Sequence, residues 1–180
     1  MKIGAYLILI FSVFALALSG YQLLMVYTHP VKYKEEIIEQ AGSFDLPAEL
    51  VASMINVESS FKPNAKSNKD AIGLMQVKLS TAEYLIDYYN LNETISETDL
   101  FIPNINIRFG CMYFKYLLNK FQNKNTALAS YNAGETRVRV WLSDKNYSLD
   151  NETLYNIPYN ETKNYVTRVN KNVRFYQKIY

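Results

Sequence analysis

The feature that most constrains the fold of this chain is a helical hydrophobic period between residues 103 and 121. The apolar side chains of PNINIRFGCMYFKYLLNKF recur in alternating steps of four and three residues, at Ile107, Cys111, Phe114, Leu118 and Phe121. Residues three and four apart lie on one side of an α-helix, so this run predicts an amphipathic helix with one buried face. No segment of any length alternates apolar and polar residues as a half-buried strand does. The sequence therefore predicts an all-α fold.

Other stretches carry helix signals at their ends. YKEEIIEQAG and TALASYNAG finish at Gly42 and Gly134, and glycine commonly terminates a helix. LPAELVASMINVES has Pro47 near its first turn, and STAEYLIDYY begins with Ser80 and Glu83, spaced as a capping box. The last run, over residues 160–180, aligns apolar side chains on one face at Val166, Val169, Val173 and Tyr176. We expect one globular helical domain over residues 31–180.

Residues 1–30 form a separate segment. IGAYLILIFSVFALALSGYQLLMVY carries no formal charge and exceeds the roughly 20 residues that cross a bilayer core. The apolar core of a cleaved signal peptide is usually shorter, about 7–15 residues. This segment predicts a single-pass transmembrane helix in the cytoplasmic membrane, with the domain on the extracytoplasmic side. A signal peptide cleaved near ALALSG, giving a secreted protein, and a buried helix of the domain are the alternatives.

Composition excludes several classes of function. A net charge of +2 is too small to indicate a nucleic acid partner. With one cysteine, Cys111, and one histidine, His29, the chain offers no intrachain disulfide, no cysteine- or histidine-based metal site and no serine–histidine triad in the domain. Any chemistry must come from carboxylates, hydroxyls, amides and tyrosines.

Glu58 is unusual because it extends an apolar helix face. Val51, Met54, Ile55 and Glu58 share one side of the helix in LPAELVASMINVES. Burying a carboxylate costs free energy unless the group is hydrogen-bonded or paired with a cation. A carboxylate on a buried face therefore has such a partner or serves a function. From spacing alone, it either ends the helix by capping or pairing with a lysine, or it is a functional group.

Three motifs occur in order around this glutamate: ESSFKPNAKSNKDAIGLMQ, ALASYNAGETRVRVWL and PYNETKNYVTRV. Together they resemble the catalytic domain of the soluble lytic murein transglycosylases, the SLT family of lysozyme-like enzymes. The resemblance implies a lysozyme-like fold and cleavage of peptidoglycan glycan strands between N-acetylmuramic acid and N-acetylglucosamine, without metal or cofactor. It also implies that Glu58 is the single catalytic acid/base. A carboxyl group in an apolar pocket has a raised pKa, which suits that role.

The resemblance further implies a set of substrate-binding residues: Ser59, Ser67, Met75, Gln76, Tyr131, Asn132 and Glu161. Ser59 and Ser67 could equally serve turn structure, as loop serines often do. We expect the hydroxyl of Tyr131 to hydrogen-bond Glu58, the alternative being a core tyrosine satisfied by backbone. Glu161 either faces substrate or closes the groove structurally, and Tyr165 is expected to pack nearby.

Some residues depart from the family pattern. Asp70 stands where glycine is common, which puts a residue that tolerates left-handed backbone in the loop and a second carboxylate near the cleft, able to activate water. Ser130 replaces an alanine, and Glu135 and Thr136 replace proline and glycine at the cleft rim.

Other functions remain open on this fold. A hydrolytic, lysozyme-type muramidase would use the same substrate, and an inactive glycan-binding or scaffold module of an envelope machine would use the same groove. The motifs containing Glu58, Gln76 and YNAG argue against inactivity. A helical membrane adaptor would leave all three motifs unexplained.

Overall fold

The protein divides into two compact units, Met1–Lys32 and Tyr33–Tyr180. The structure is a computed structural model that describes residues 2–180, with their side chains except those at positions 2–5, 8, 22, 23 and 25–28. The first unit contains helix α1 (Lys2–Thr28).

The predicted transmembrane helix over residues 1–30 is wrong. Among the residues that the structure describes, none of the helices combines the length and the hydropathy that a bilayer crossing demands. Helix α1 has 27 residues. The predicted attachment to the cytoplasmic membrane through this helix is withdrawn with it.

The second unit is a helical assembly with one short hairpin. Its elements are α2 (Lys34–Ser43), α3 (Ala48–Ser59), β1 (Ala71–Ile72), β2 (Val77–Lys78), α4 (Leu79–Tyr88), a 3₁₀ turn (Asp99–Phe101), α5 (Pro103–Phe121), α6 (Lys124–Ala133), α7 (Glu135–Leu142) and α8 (Asn160–Tyr176). The strands pair antiparallel, Ala71 with Lys78 and Ile72 with Val77.

Helix α5 is the centre of this unit, as its hydrophobic period predicts. It packs against α2, α4 and α6, and its predicted face is buried at Ile107, Cys111, Phe114 and Phe121, while Leu118 packs at the margin of the core. Cys111 is fully buried and not in a disulfide. Pro103 occupies the first turn, where its missing N–H costs nothing.

Two local predictions differ from the structure. Helix α4 begins at Leu79 with Lys78 as its N-cap, and no side chain caps it, so the predicted capping box of Ser80 and Glu83 is wrong. The reason is that the chain enters α4 directly from the extended backbone of β2. Strands of two residues give no alternating pattern, which is why the hairpin was not predicted.

Helices α3 and α8 are joined by buried polar contacts. The Ser53 hydroxyl donates to the carbonyl oxygen of Val169 at 2.7 Å. The Asn172 amide donates to the side-chain oxygen of Asn56, also at 2.7 Å. Buried polar groups are costly unless paired, so these bonds favour one arrangement of the two helices. They fix α8 beside the end of α3 that carries Glu58.

Candidate active site

A cavity of about 690 Å³ lies where the hairpin, α5, α6, α7 and α8 surround the end of α3. Its wall combines carboxylates, cations, amides and tyrosines: Glu58, Ser67, Asn68, Lys69, Ala71, Gln76, Val77, Lys78, Thr81, Tyr113, Tyr131, Asn132, Ala133, Gly134, Arg137, Tyr159, Glu161 and Thr162. Of the eight residues predicted from the sequence to form the site, the cavity brings together Glu58, Ser67, Gln76, Tyr131, Asn132 and Glu161. Ser59 and Met75 are not on its wall.

Glu58 reaches the cavity from the last turn of α3 and is half-buried. Burial raises the pKa of its carboxyl from 4.5 to about 7, because the charged form loses solvation. Tyr165 and the positive charge of Arg168 lower the pKa, and the negative charge of Glu161 raises it further. The carboxyl group can therefore hold a proton near neutral pH and also release it.

Two tyrosines flank this carboxyl from different helices. Tyr165 of α8 is buried beside Glu58, and its hydroxyl interacts with the Glu58 carboxyl group. The hydroxyl of Tyr131 donates to the backbone oxygen of Met75 at 2.8 Å. The expected hydrogen bond from Tyr131 to Glu58 is thus not formed, because the Tyr131 hydroxyl donates to the Met75 carbonyl instead. Burial and the nearby Glu58 charge raise the pKa of both tyrosines, so both hydroxyls stay protonated.

The loop of the hairpin is held by Asn106 of α5, which the sequence reading missed. Its side-chain oxygen accepts from the backbone N–H of Met75 at 2.7 Å, and its amide nitrogen donates to the carbonyls of Ile72 and Leu100 at 2.8 and 2.7 Å. An amide on the buried face of an amphipathic helix was the signal available. Gly73 has a φ of +76°, and a Cβ there would lie 2.6 Å from the Leu100 oxygen. Only glycine fits this turn.

Gln76 follows that turn and faces the cavity with a left-handed backbone, φ 51°. Its amide nitrogen donates to the Gly73 carbonyl at 2.9 Å. Since the nitrogen is already used, the side-chain oxygen is the group available to accept a hydrogen bond from a ligand.

Met75 and Ser59 support the site from behind. Met75 is fully buried, and a Cβ at Gly110 of α5 would overlap its side chain. The hydroxyl of Ser59 donates to the carbonyl of Leu74 at 2.8 Å. Both residues therefore join the hairpin loop to neighbouring helices.

The loop before the hairpin has the turn chemistry expected of serine. The Ser67 oxygen accepts from the backbone N–H groups of Ala71 and Lys69, at 3.1 and 3.2 Å. Asp70 has a φ of 56°, which is the left-handed conformation that its place in the loop suggests. Its side chain is exposed and is not part of the cavity wall. The carboxylate on the wall besides Glu58 is Glu161.

Asn132 and Thr162 connect the motifs on α6 and α8. The Thr162 hydroxyl donates to the Asn132 side-chain oxygen at 2.8 Å. Thr162 is buried and lines the cavity, and it was missed although it lies in NETKNYV. The bond holds the second and third sequence motifs together at the cavity wall.

The geometry of Glu58, the hairpin loop and the paired α6 and α8 motifs can be compared with known proteins. The family model of the transglycosylase SLT domain matches residues 35–155. The chain belongs to the SLT transglycosylase family. The resemblance inferred from the three motifs is thereby confirmed.

Relatives and solved structures agree with this membership. The chain is 31% identical over 153 residues to the soluble lytic murein transglycosylase of Escherichia coli K12, covering 84% of this chain and 23% of that protein. It is 30% identical over 169 residues to the membrane-bound lytic murein transglycosylase C of Histophilus somni, covering 82% and 47%.

An inactive glutamate-to-glutamine mutant of the lytic transglycosylase Slt from Pseudomonas aeruginosa superposes with a TM-score of 0.75 at 28% identity. The match covers 86% of this chain and 25% of that one. The lysozyme-like helical fold predicted for the domain is therefore correct. The chain spans less than half the length of each of these three proteins.

Within this SLT domain, Glu135 lies at the rim of the cleft, where two cations and one hydroxyl bind its carboxylate. It pairs with Lys120 at 2.8 Å and Arg139 at 2.9 Å, and it accepts from the hydroxyl of Tyr116 at 3.0 Å. Burial alone would raise the pKa of Glu135, but these hydrogen bonds outweigh it and lower the pKa. Glu135 therefore joins α7 to α5 as an anion.

Three cavity residues of the SLT domain had no signal in isolation. Tyr113 was hidden in the helical run of α5, next to Phe114, Arg137 lies inside the second motif, and Tyr159 lies near the start of the third. Arg137 stacks over the ring of Tyr159, 5.1 Å from its centroid, and that ring packs against Trp141. The guanidinium is thus held at the cavity rim.

Proposed function

We propose that this domain is a peptidoglycan lytic transglycosylase. It cleaves the β-1,4 bond between N-acetylmuramic acid and N-acetylglucosamine and leaves 1,6-anhydromuramoyl ends. The single observation that carries this proposal is Glu58, whose carboxyl faces the cavity with a pKa raised to about 7. The family membership and the inactivity of the glutamate-to-glutamine mutant from Pseudomonas aeruginosa support an essential glutamate.

The reaction uses Glu58 twice. The protonated carboxyl first donates its proton to the glycosidic oxygen, which leaves with the N-acetylglucosamine residue as a hydroxyl group. The C6 hydroxyl of the muramic acid then attacks C1, and its proton passes to the Glu58 carboxylate. A nucleophile attached to the same ring has a high effective concentration, so it needs little activation.

The surrounding residues hold the carboxyl and the sugar. The hydroxyl of Tyr165 lies beside Glu58 and interacts with its carboxyl group, so it stabilises the carboxylate formed after proton donation. The oxygen of Gln76 and the amide of Asn132 offer hydrogen bonds to sugar hydroxyls and acetamido groups. Ser59 and Met75 contribute by fixing the hairpin loop, since neither lines the cavity.

Hydrolysis is a second candidate, because Glu161 lies on the same cavity wall. Most glycosidases use two carboxylates, one of them to activate water or to attack the sugar. If Glu161 did so, the products would end in reducing sugars. Asp70 is less suited to this role because its side chain is not on the wall.

The products distinguish the two reactions. Purified sacculi should be incubated with the protein, and the released fragments weighed by mass spectrometry. We expect fragments lighter by one water than hydrolysis products, in the wild type and in a Glu161→Gln variant. Predominantly reducing ends that disappear in Glu161→Gln would establish hydrolysis instead.

This function places the domain on the side of the cytoplasmic membrane where peptidoglycan lies. Protease added to intact spheroplasts, together with the fluid released when they are made, should degrade it. Protection until the membrane is lysed would contradict that location.

A further inference from the structure

Four tyrosines of α4 and α5 form a continuous array that leads away from the cavity. Tyr113 lines the cavity, and its ring stacks on Tyr116 with centroids 6.3 Å apart and planes 15° from parallel. Tyr116 in turn meets Tyr84 and Tyr88 edge-on, at 5.7 and 5.0 Å. The outer two rings contact each other at 5.8 Å.

The outer rings are exposed but fixed in place. Tyr84 is 45% exposed and Tyr88 is 54% exposed, while Tyr116 beneath them is buried. The hydroxyls of Tyr84 and Tyr116 are hydrogen-bonded at 2.9 Å, and Tyr116 also contacts Lys120 and Glu135. A ligand that stacks on these rings would lose little free energy in ordering them.

The exposed rings continue one wall of the cavity. Thr81 lines the cavity near the start of α4. Tyr84 is three residues and Tyr88 seven residues further along, so all three share one face of the helix. The rise from Thr81 to Tyr88 is about 10 Å, roughly the length of a disaccharide. A linear chain leaving the cavity along α4 would meet both rings.

We propose that Tyr84 and Tyr88 form an additional binding surface for the glycan strand, beyond the cavity that holds the scissile bond. The inference rests on the proposed function. The C–H face of a sugar ring buries apolar area when it stacks on a tyrosine ring. A strand held along α4 is occupied over several sugars, so long strands are preferred to short fragments.

The test compares substrates of two lengths. In Tyr88→Ala, the ratio of kcat/KM for long uncross-linked glycan strands to that for a tetrasaccharide fragment should fall about fivefold, as expected for loss of one stacked ring. Tyr88→Phe should keep most of the preference. Tyr155→Ala is the matched control, since Tyr155 is 60% exposed and lies away from the cavity wall; its ratio should match the wild type.

A binding measurement separates this inference from the proposed function. Retention on sacculi should be measured for Glu58→Gln and for Glu58→Gln with Tyr88→Ala, each with a wild-type circular dichroism spectrum. We expect about fivefold weaker retention in the double variant. If wild-type protein cleaves nothing, the proposed function fails and retention alone decides this inference. An unchanged length ratio together with unchanged retention overturns the additional surface.

Discussion

At the scale of single residues, the carboxyl of Glu58 is tested by one isosteric change. Glu58→Gln keeps the side-chain volume and removes the proton, so cleavage of sacculi should fall by at least about 100-fold, the lower range for loss of a general acid. The rate of fragment release measures this. Asp70→Asn is the matched control and should keep most activity, because Asp70 is outside the cavity wall. A folded Glu58→Gln protein with near wild-type activity would remove Glu58 from the mechanism.

The raised pKa of Glu58 also makes the stability of the domain depend on pH. Because the folded pKa of about 7 lies above the unfolded value of 4.5, the native state favours the protonated form. The contribution of Glu58 to stability is therefore fully present below pH 4.5 and is lost as pH rises through about 7. Glu58→Gln removes this loss, and its free energy of unfolding should exceed that of the wild type by about 3 kcal/mol at pH 8.

Denaturant unfolding at pH 4.5 and pH 8 measures this difference, which should be small at the lower pH. A Glu58→Gln variant whose advantage were the same at both would show that the carboxyl is not buried in the native state.

Residue roles were only partly predictable from the sequence. Glu58 stood out because a carboxylate extends an apolar helix face. The hydroxyl of Tyr131 bonds a backbone carbonyl, which was the alternative to the expected bond with Glu58; no sequence pattern shows which acceptor a tyrosine hydroxyl reaches. Ser59 and Met75 belong to the correct motifs, yet they face away from the cavity, and motif matching cannot resolve the direction of a side chain.

At the scale of elements, the contact between α5 and the hairpin loop depends on Gly110. A Cβ at this position would overlap the Met75 side chain, so Gly110→Ala should lower the free energy of unfolding by about 1–3 kcal/mol, as overpacking does. Displacing Met75 should also move Gln76 and reduce cleavage. Denaturant unfolding and fragment release measure the two effects.

Gly42 of α2 supplies the matched change. A Cβ there would meet nothing within 4 Å, so Gly42→Ala should raise the free energy of unfolding by about 0.5–1 kcal/mol through helix propensity. Equal effects of the two substitutions would mean that Met75 does not pack against Gly110.

Helices were more predictable than the structure between them. The period of α5 and the glycine after α6 are local signals, and both were correct. The hairpin depends on contacts with α5, including the hydrogen bonds of Asn106 to Ile72 and Met75, and α4 begins where the second strand ends. Those contacts join distant parts of the chain, so no window of sequence contains them.

At the scale of the whole molecule, the core formed by the described side chains lies in the second unit. Among the residues with described side chains, every buried apolar residue falls between Ile37 and Tyr176. A fragment of residues 33–180 should therefore unfold in a single cooperative transition, because it contains its own core. Thermal unfolding followed by circular dichroism and by tyrosine fluorescence checks this. Separate midpoints for the two probes would contradict a single cooperative unit.

The buried thiol of Cys111 makes the opening of that core directly measurable. Burial raises the pKa of this thiol, and the thiolate is the form that reacts with alkylating reagents. Labelling therefore occurs only when α5 separates from its neighbours and exposes the thiol. Since the chain has one cysteine, each opened molecule gains one adduct mass, and the rate of mass gain reports the opening equilibrium without any introduced probe. A glycan strand bound in the cavity should slow that rate. The decrease in labelling rate with glycan concentration would then measure the affinity of the domain for the strand.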